Sequence, residues 1–126
     1  PCIAVSAANA AVMFESVRRG HPVNLPEKGT LASALSGGIG LDNQHSFRLV
    51  RDLIRHHVLV SENDIAVAMK YCVEHLRLIV EGGGAVGVAA ALTGAWDPGG
   101  IREGPVVIVA SGGNVSTDTL LRILAP

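Results

Sequence analysis

Aromatic side chains are scarce in this sequence, where they make up 3% of 126 residues. Glycine occurs fifteen times, and apolar residues reach 48%. Small side chains and glycine allow helices to pack closely on a sheet. The composition therefore favours such a fold and disfavours a β-sandwich. Charged residues amount to only 17%, which excludes a disordered chain.

Strong net charge, a cysteine framework and long apolar runs are also lacking. A net charge of −1 provides no electrostatic footprint for nucleic acid or an anionic membrane, so we expect neither as a partner. Two cysteines, Cys2 and Cys72, are too few for a disulfide scaffold and indicate a reducing cytoplasm. Since no apolar run reaches about 18 residues and no charged-then-apolar leader occurs, we expect no membrane span and no signal peptide.

The start of the chain is unusual, because it opens at Pro1 without a methionine and already inside a strand-like pattern. We therefore expect a fragment. Its length is that of one domain, so we predict a single partial domain over residues 1–126.

The strongest strand signal covers residues 106–110, an apolar run bounded by Gly104-Pro105 and by Gly112-Gly113. Such a run predicts a strand buried on both faces. Ser111 follows where this strand ends, and ligands of open α/β sheets bind at that edge. A plain glycine-rich turn is the alternative. Shorter strands are predicted at residues 3–6 and 58–60, which gives an α/β fold.

Helices are predicted between these strands. The first covers residues 10–19, with Asn9 as its N-cap and Gly20 after its end. A second starts at Asp42 or Asn43 and ends at His56-His57.

The most secure helix follows a capping box, Ser61-Glu62-Asn63-Asp64, and carries an apolar stripe as far as Val80. Glu81 to Gly84 should interrupt the helical pattern. A buried helix is expected over residues 85–95, a loop around residues 97–100 and a terminal helix from about 117 to 124.

Two other patterns point to chemistry that we do not favour. Residues 82–87 match the glycine spacing of dinucleotide-binding loops, but that motif requires a preceding strand, and a helical stripe precedes it here. Cys72, His75 and further histidines could converge on zinc, which requires three or four ligands. Cys72 falls in the apolar stripe and is better explained as a small core residue.

Two motifs together indicate a family. One is Glu81-Gly82-Gly83-Gly84, and the other is Ser111-Gly112-Gly113-Asn114 at the end of the apolar strand. The combination resembles the C-terminal part of the fold-type II pyridoxal-phosphate enzymes, the tryptophan synthase β-like group that includes threonine dehydratase and serine racemase. Residues 39–41, 50–53 and 60–65 also fit, so the resemblance covers nearly the whole chain. Residues 30–32, 36–43 and 80–84 most resemble the dehydratases of hydroxyectoine utilisation.

The resemblance implies an α/β fold, part of the large catalytic domain, with parallel strands near 3–6, 58–60 and 106–110 and flanking helices. It also implies pyridoxal phosphate as the cofactor. Ser111 matches the serine that hydrogen-bonds the pyridine nitrogen, and Glu81 matches an acidic residue beside the ring. Ala34 matches a family glycine whose backbone lies near the cofactor. Taken alone, Glu81 would be read as a solvated loop glutamate.

Departures from the family pattern limit what can be carried over. Many relatives bind a divalent cation through a Glu-Pro-Ser-Asn-Ala-Asp segment, but the corresponding residues 6–12 contain no carboxylate. We therefore expect no metal site and no requirement for magnesium or calcium.

Ser33-Ala34 replaces the family's Asp-Gly. The family's Schiff-base lysine and phosphate cup lie upstream of this region, and neither Lys28 nor Lys70 has the matching context. No catalytic residue is expected in this segment, which should be inactive alone.

For the full-length protein, the resemblance implies a lyase that converts a β-hydroxy amino acid into an oxo acid and ammonia. Threonine, serine or an amino acid derived from hydroxyectoine would be the substrate, in a cytoplasmic homo-oligomer. An amino-acid racemase on the same scaffold and a non-catalytic binding module derived from it are the alternatives.

Overall fold

The computed structural model describes residues 2–97 and 104–125. Two strands, β1 (Ile3–Ala7) and β2 (His56–Val60), pair in parallel, with Ile3 opposite His56 and Ala7 opposite Val60. Parallel strands need a long crossover connection. Here the connection contains α1 (Val12–Arg19) and α2 (Ser46–Leu53). The predicted α/β class is confirmed.

Within residues 2–97 and 104–125 the structure has three further α-helices: α3 (Glu62–Tyr71), α4 (Gly82–Thr93) and α5 (Thr117–Leu124). Helix α4 lies at the centre, packed against α3 and against both strands. Its buried residues are glycine, alanine and one valine, whose small side chains let the helix approach the sheet closely. The buried core around it consists of Ala7, Ala10, Ala32, Val60, Ile65, Ala68, Met69, Cys72, Val80, Ala85, Val88, Ala89 and Ala90.

The start of α3 is the predicted capping box. The Ser61 hydroxyl accepts a hydrogen bond from the Asp64 backbone N–H at 3.2 Å, and the Asp64 carboxylate accepts one from the Ser61 N–H at 2.9 Å. The hydrogen bonds from the Ser61 side chain and backbone lower the pKa of Asp64. The folded state therefore favours the charged form. The resulting stability is present above the ordinary aspartate pKa of about 3.9 and is lost as the pH falls through the lower folded-state value.

The first two helices begin later than predicted. Asn9 does not cap α1: its side-chain amide donates instead to the Gly29 carbonyl at 2.8 Å, and a 3-10 turn (Ala8–Ala10) precedes the helix. Gly20 ends α1 in the left-handed conformation expected of it, with φ 78°. Asn43 lies before α2, and its side-chain oxygen accepts a hydrogen bond from the Phe47 N–H in the first turn of that helix at 2.9 Å.

His56 and His57 do not end α2, because both belong to β2. The prediction failed because only three residues of β2 are apolar, and the two histidines before them resemble the polar end of a helix.

Helix α3 ends before the predicted Val80. At Cys72–Leu76 the helix widens into a π-turn, and Arg77 then takes the left-handed conformation at φ 58°. After this turn the apolar residues no longer follow one helical face: Ile79 is 61% exposed, whereas Val80 is buried in the core. The glycines that were expected to break the pattern form the first turn of α4 instead.

The predicted third strand at residues 106–110 is wrong within the described chain. The described sheet contains β1 and β2, and residues 106–110 are not paired with either. Without a neighbour, the segment is exposed instead of buried on both faces. Val107 and Val109 are 87% and 78% exposed, whereas Val106 and Ile108 are 54% and 39% exposed. This period of two indicates an extended segment that lays one face against the body of the protein.

The predicted loop around residues 97–100 falls mostly outside the described residues. Across 2–97 and 104–125, the structure contains no helix of the length and apolar character needed to cross a membrane.

Ser61→Ala should lower the free energy of unfolding by about 1 kcal/mol, because the Asp64 N–H at the start of α3 loses its acceptor. Denaturant unfolding of the two proteins measures the difference. Asn63→Ala is the matched control, since Asn63 is exposed in the same turn. An equal loss in both variants would contradict the capping role.

Candidate functional site

The first turn of α4 is where three segments of the chain meet. Its residues are Gly82, Gly83 and Gly84, and two backbones press directly on them. A Cβ atom on Gly82 would lie 2.2 Å from the Leu31 carbonyl oxygen, and one on Gly84 would lie 1.7 Å from the Ser111 carbonyl oxygen. Neither contact leaves space for a side chain. The glycines at 82 and 84 are therefore required by the approach of the neighbouring backbones.

Glu81 precedes these glycines and holds the turn that carries Ser111. Its backbone N–H donates to the Gly112 carbonyl at 2.9 Å, and its Oε2 accepts from the Asn114 N–H at 3.0 Å. Gly112 has φ 80°, and a Cβ atom there would lie 2.6 Å from Glu81 Oε1. The Glu81 side chain is therefore only partly exposed and is engaged with backbone, unlike the solvated glutamate considered as its alternative.

Ala34 lies on the third segment, in a 3-10 turn (Ser33–Leu35). A Cβ atom on Gly83 would sit 3.4 Å from Ala34 Cβ and 3.9 Å from Glu81 Oε1. The structure therefore brings Ala34, Glu81 and Ser111 together around one helical turn, although they are separated by up to 77 positions in the sequence.

Ser111 is exposed, and within the described residues its hydroxyl makes no hydrogen bond to the protein. It lies beside the N-terminus of α4, where the helix dipole is positive. The site thus offers an uncommitted hydroxyl, a carboxylate and a rigid glycine turn. Such groups can bind and orient a ligand.

The two lysines considered for catalysis have no place in this cluster. Lys70 donates to the Leu124 carbonyl at 3.3 Å and lies 3.9 Å from Glu74, so it ties α3 to the end of α5. Lys28 is exposed in the connector after α1.

The described residues also contain no group of three or more His, Cys, Asp or Glu side chains arranged to hold a metal ion. Cys72 is fully buried, and burial raises the pKa of its thiol, as expected for a core residue.

Where the resemblance places a metal-binding carboxylate, the structure has a pair that the sequence did not predict. Ser6 Oγ lies 2.8 Å from His57 Nε2, between neighbouring strands β1 and β2. Phe14 packs against the imidazole edge-on, and burial lowers the pKa of His57. The pair was missed because His57 was assigned to a helix end. Its position in β2 places it next to β1.

A second contact that could not be predicted from the sequence involves Glu62, which lies inside the capping box. Its carboxylate accepts hydrogen bonds from the Thr30 hydroxyl and from the Leu31 N–H, both at 2.7 Å. Only the fold reveals this contact, since the partners are more than thirty positions apart in the sequence.

Comparison with known proteins identifies the class. Residues 1–112 match the family described as pyridoxal-phosphate dependent enzyme, and the chain belongs to that family. Its cofactor is pyridoxal phosphate. The structure superposes on maize serine racemase with a TM-score of 0.81 at 32% identity, covering 95% of this chain and 36% of that one. The fold is therefore that of the fold-type II enzymes.

Particular relatives include dehydratases and ammonia-lyases. A Sinorhizobium fredii protein named "Putative threonine dehydratase" is 42% identical over 90% of this chain and 33% of its own length. The L-threonine ammonia-lyase of Thermotoga maritima is 34% identical over 97% of this chain and 29% of its own. The chain thus spans about a third of the length of these relatives.

Gly84→Ala should destabilise the protein by about 2 kcal/mol or more, because the new Cβ atom must displace the Ser111 backbone. Thermal or denaturant unfolding measures the loss. Gly83→Ala makes the same change one residue earlier, where the nearest atom is 3.4 Å away, and should be tolerated. Equal stability of the two variants would show that residue 111 does not press on α4.

Proposed function

We propose that residues 1–126 form one partial domain of a pyridoxal-phosphate-dependent ammonia-lyase, and that they supply the side of the cofactor site facing the pyridine nitrogen. The whole enzyme would convert a β-hydroxy amino acid such as threonine or serine into an oxo acid and ammonia. The proposal depends chiefly on the Ser111 hydroxyl, which has no hydrogen-bond partner among the described residues and lies beside the N-terminus of α4. The turn that follows it is held by Glu81 through Gly112 and Asn114. The names of the relatives from Thermotoga maritima and Sinorhizobium fredii support the reaction class.

The residues present fit this cofactor. A serine hydroxyl can donate a hydrogen bond to a pyridine nitrogen but, unlike a carboxylic acid, does not transfer its proton to it. When bound, pyridoxal phosphate supplies an electron sink for the substrate carbon. Ser111 would leave that sink weak, which suits an elimination in which the departing hydroxyl group takes up the electrons early. Glu81 would orient the Ser111 turn through the Asn114 N–H, and Ala34 would border the ring with its backbone.

A racemase is the second candidate, favoured by the similarity to maize serine racemase. Racemisation needs no leaving group and returns a proton to the opposite face of the substrate carbon. Chiral analysis of the unreacted serine, alongside oxo-acid release, distinguishes the two reactions. A binding module without catalysis would give neither product.

The finer substrate assignment rests on the resemblance of residues 30–32, 36–43 and 80–84 to hydroxyectoine-utilisation dehydratases. We propose a β-hydroxy amino acid derived from hydroxyectoine as a substrate to be assayed beside threonine and serine.

We also propose that the full-length protein works as a homo-oligomer in the cytoplasm, consistent with its two free cysteines, Cys2 and Cys72. The proposal includes no nucleic-acid, membrane or metal partner.

In the full-length protein, Ser111→Ala should weaken pyridoxal phosphate binding by about 1–3 kcal/mol, because a buried ring nitrogen loses its donor. Ser111→Asp should protonate the ring and change the ratio of elimination to racemisation. Cofactor titration and product analysis test both variants. Unchanged affinity and product ratio in both would refute the assignment of Ser111.

The 126-residue chain by itself should have no ammonia-lyase activity, because proton removal from the substrate needs a lysine held at the cofactor. Lys70 is engaged at the end of α5, and Lys28 lies on an exposed connector. The purified chain is mixed with pyridoxal phosphate, dialysed and examined for a persistent visible absorption band and for oxo-acid release from threonine and serine. A band with turnover would show that Lys28 or Lys70 is catalytic.

A further inference from the structure

The segment that carries Ala34 is held from two sides, and one of them is Glu62. Both carboxylate oxygens of Glu62 accept hydrogen bonds at 2.7 Å, one from the Leu31 N–H and one from the Thr30 hydroxyl. Thr30 Oγ1 in turn accepts the Ala32 N–H at 3.0 Å. A single carboxylate at the start of α3 therefore fixes residues 30–32.

The other side is the first turn of α4. The Leu31 carbonyl presses on Gly82, while its N–H is bound by Glu62, so the peptide groups on both sides of Leu31 are fixed. Ala32 is fully buried directly after it. Ala34 follows two residues later and meets Gly83 of the same helical turn. A shift at Leu31 would therefore move Ala34, whereas the turn after Ser111 is held independently by Glu81 through Gly112 and Asn114.

We propose that Glu62 is a positioning residue: it sets the distance between the Ala34 turn and Ser111, and so determines how tightly the cofactor ring is held. This role rests on the proposed function. Glu62 acts only through Thr30 and Leu31, and its hydrogen bonds are charge-assisted, which makes them about twice as strong as neutral ones.

The test compares pyridoxal phosphate affinity in variants of the full-length protein by spectroscopic titration. Glu62→Ala removes both acceptors and should weaken binding about tenfold. Glu62→Gln should restore affinity to within about threefold of wild type, because its amide can accept from the Leu31 N–H and donate to Thr30 Oγ1. Thr30→Val keeps the Leu31 bond and should cause an intermediate loss, which provides a second variant if Glu62→Ala does not fold.

Two controls separate positioning from general damage. Ser61→Ala weakens the start of the same helix but leaves the Glu62 contacts in place, and Glu27→Ala removes an exposed carboxylate that makes no hydrogen bond within the described residues. Both should bind the cofactor within about twofold of wild type, which is less than 0.5 kcal/mol by the relation between affinity and free energy. Hydrogen exchange at the Leu31 amide should accelerate in Glu62→Ala and not in the controls.

Wild-type affinity in Glu62→Ala, or an equal loss in Ser61→Ala, would overturn the positioning role and leave the proposed function standing. Unchanged exchange at Leu31 in Glu62→Ala would overturn it as well. Failure of the wild-type protein to bind pyridoxal phosphate would instead refute the proposed function, and the positioning role with it.

Discussion

The structure depends on two backbone segments pressing on one turn of helix. The carbonyl groups of Leu31 and Ser111 occupy the space where side chains of residues 82 and 84 would stand. Such contacts are rigid, since neither partner has a rotamer to change. They set the relative positions of three parts of the chain that are distant in sequence. The site is therefore a consequence of glycine at the start of a buried helix, although glycine is among the poorest helix formers.

Two carboxylates complete this arrangement, and each binds backbone. Glu62 holds the segment before the Ala34 turn, and Glu81 holds the turn after Ser111. An acidic residue in a candidate active site is usually read as an acid or a base. We propose an orienting role for both instead, because Glu81 accepts from the Asn114 N–H and Glu62 accepts from the Leu31 N–H and the Thr30 hydroxyl. The Ser111 hydroxyl makes no hydrogen bond within the described chain, and for this reason we propose it as the group that contacts the ligand.

Much of this could be predicted from local sequence, and the failures have physical causes. The Ser61 capping box and the α5 bounds are set by nearest neighbours, so sequence was sufficient for them. The strand at residues 106–110 was predicted from its apolar run, but strand formation requires a partner, which the described chain does not supply. The Ser6–His57 pair and the Glu62 contacts join residues remote in sequence. Family resemblance nominated Ala34, Glu81 and Ser111, and the fold brings them together, but the cofactor contacts themselves remain predictions.

The exposed segment at residues 106–110 has a consequence for handling the protein. It is an uncharged run of mostly β-branched residues, with Val107 and Val109 facing outward. Unpaired extended segments of this kind template pairing with other chains and lead to aggregation. Pro105 on one side and Gly112-Gly113 on the other limit the spread of such pairing, in the manner of gatekeeper residues. The stretch leading into the candidate site is thus also a site where this chain can pair with other chains and aggregate.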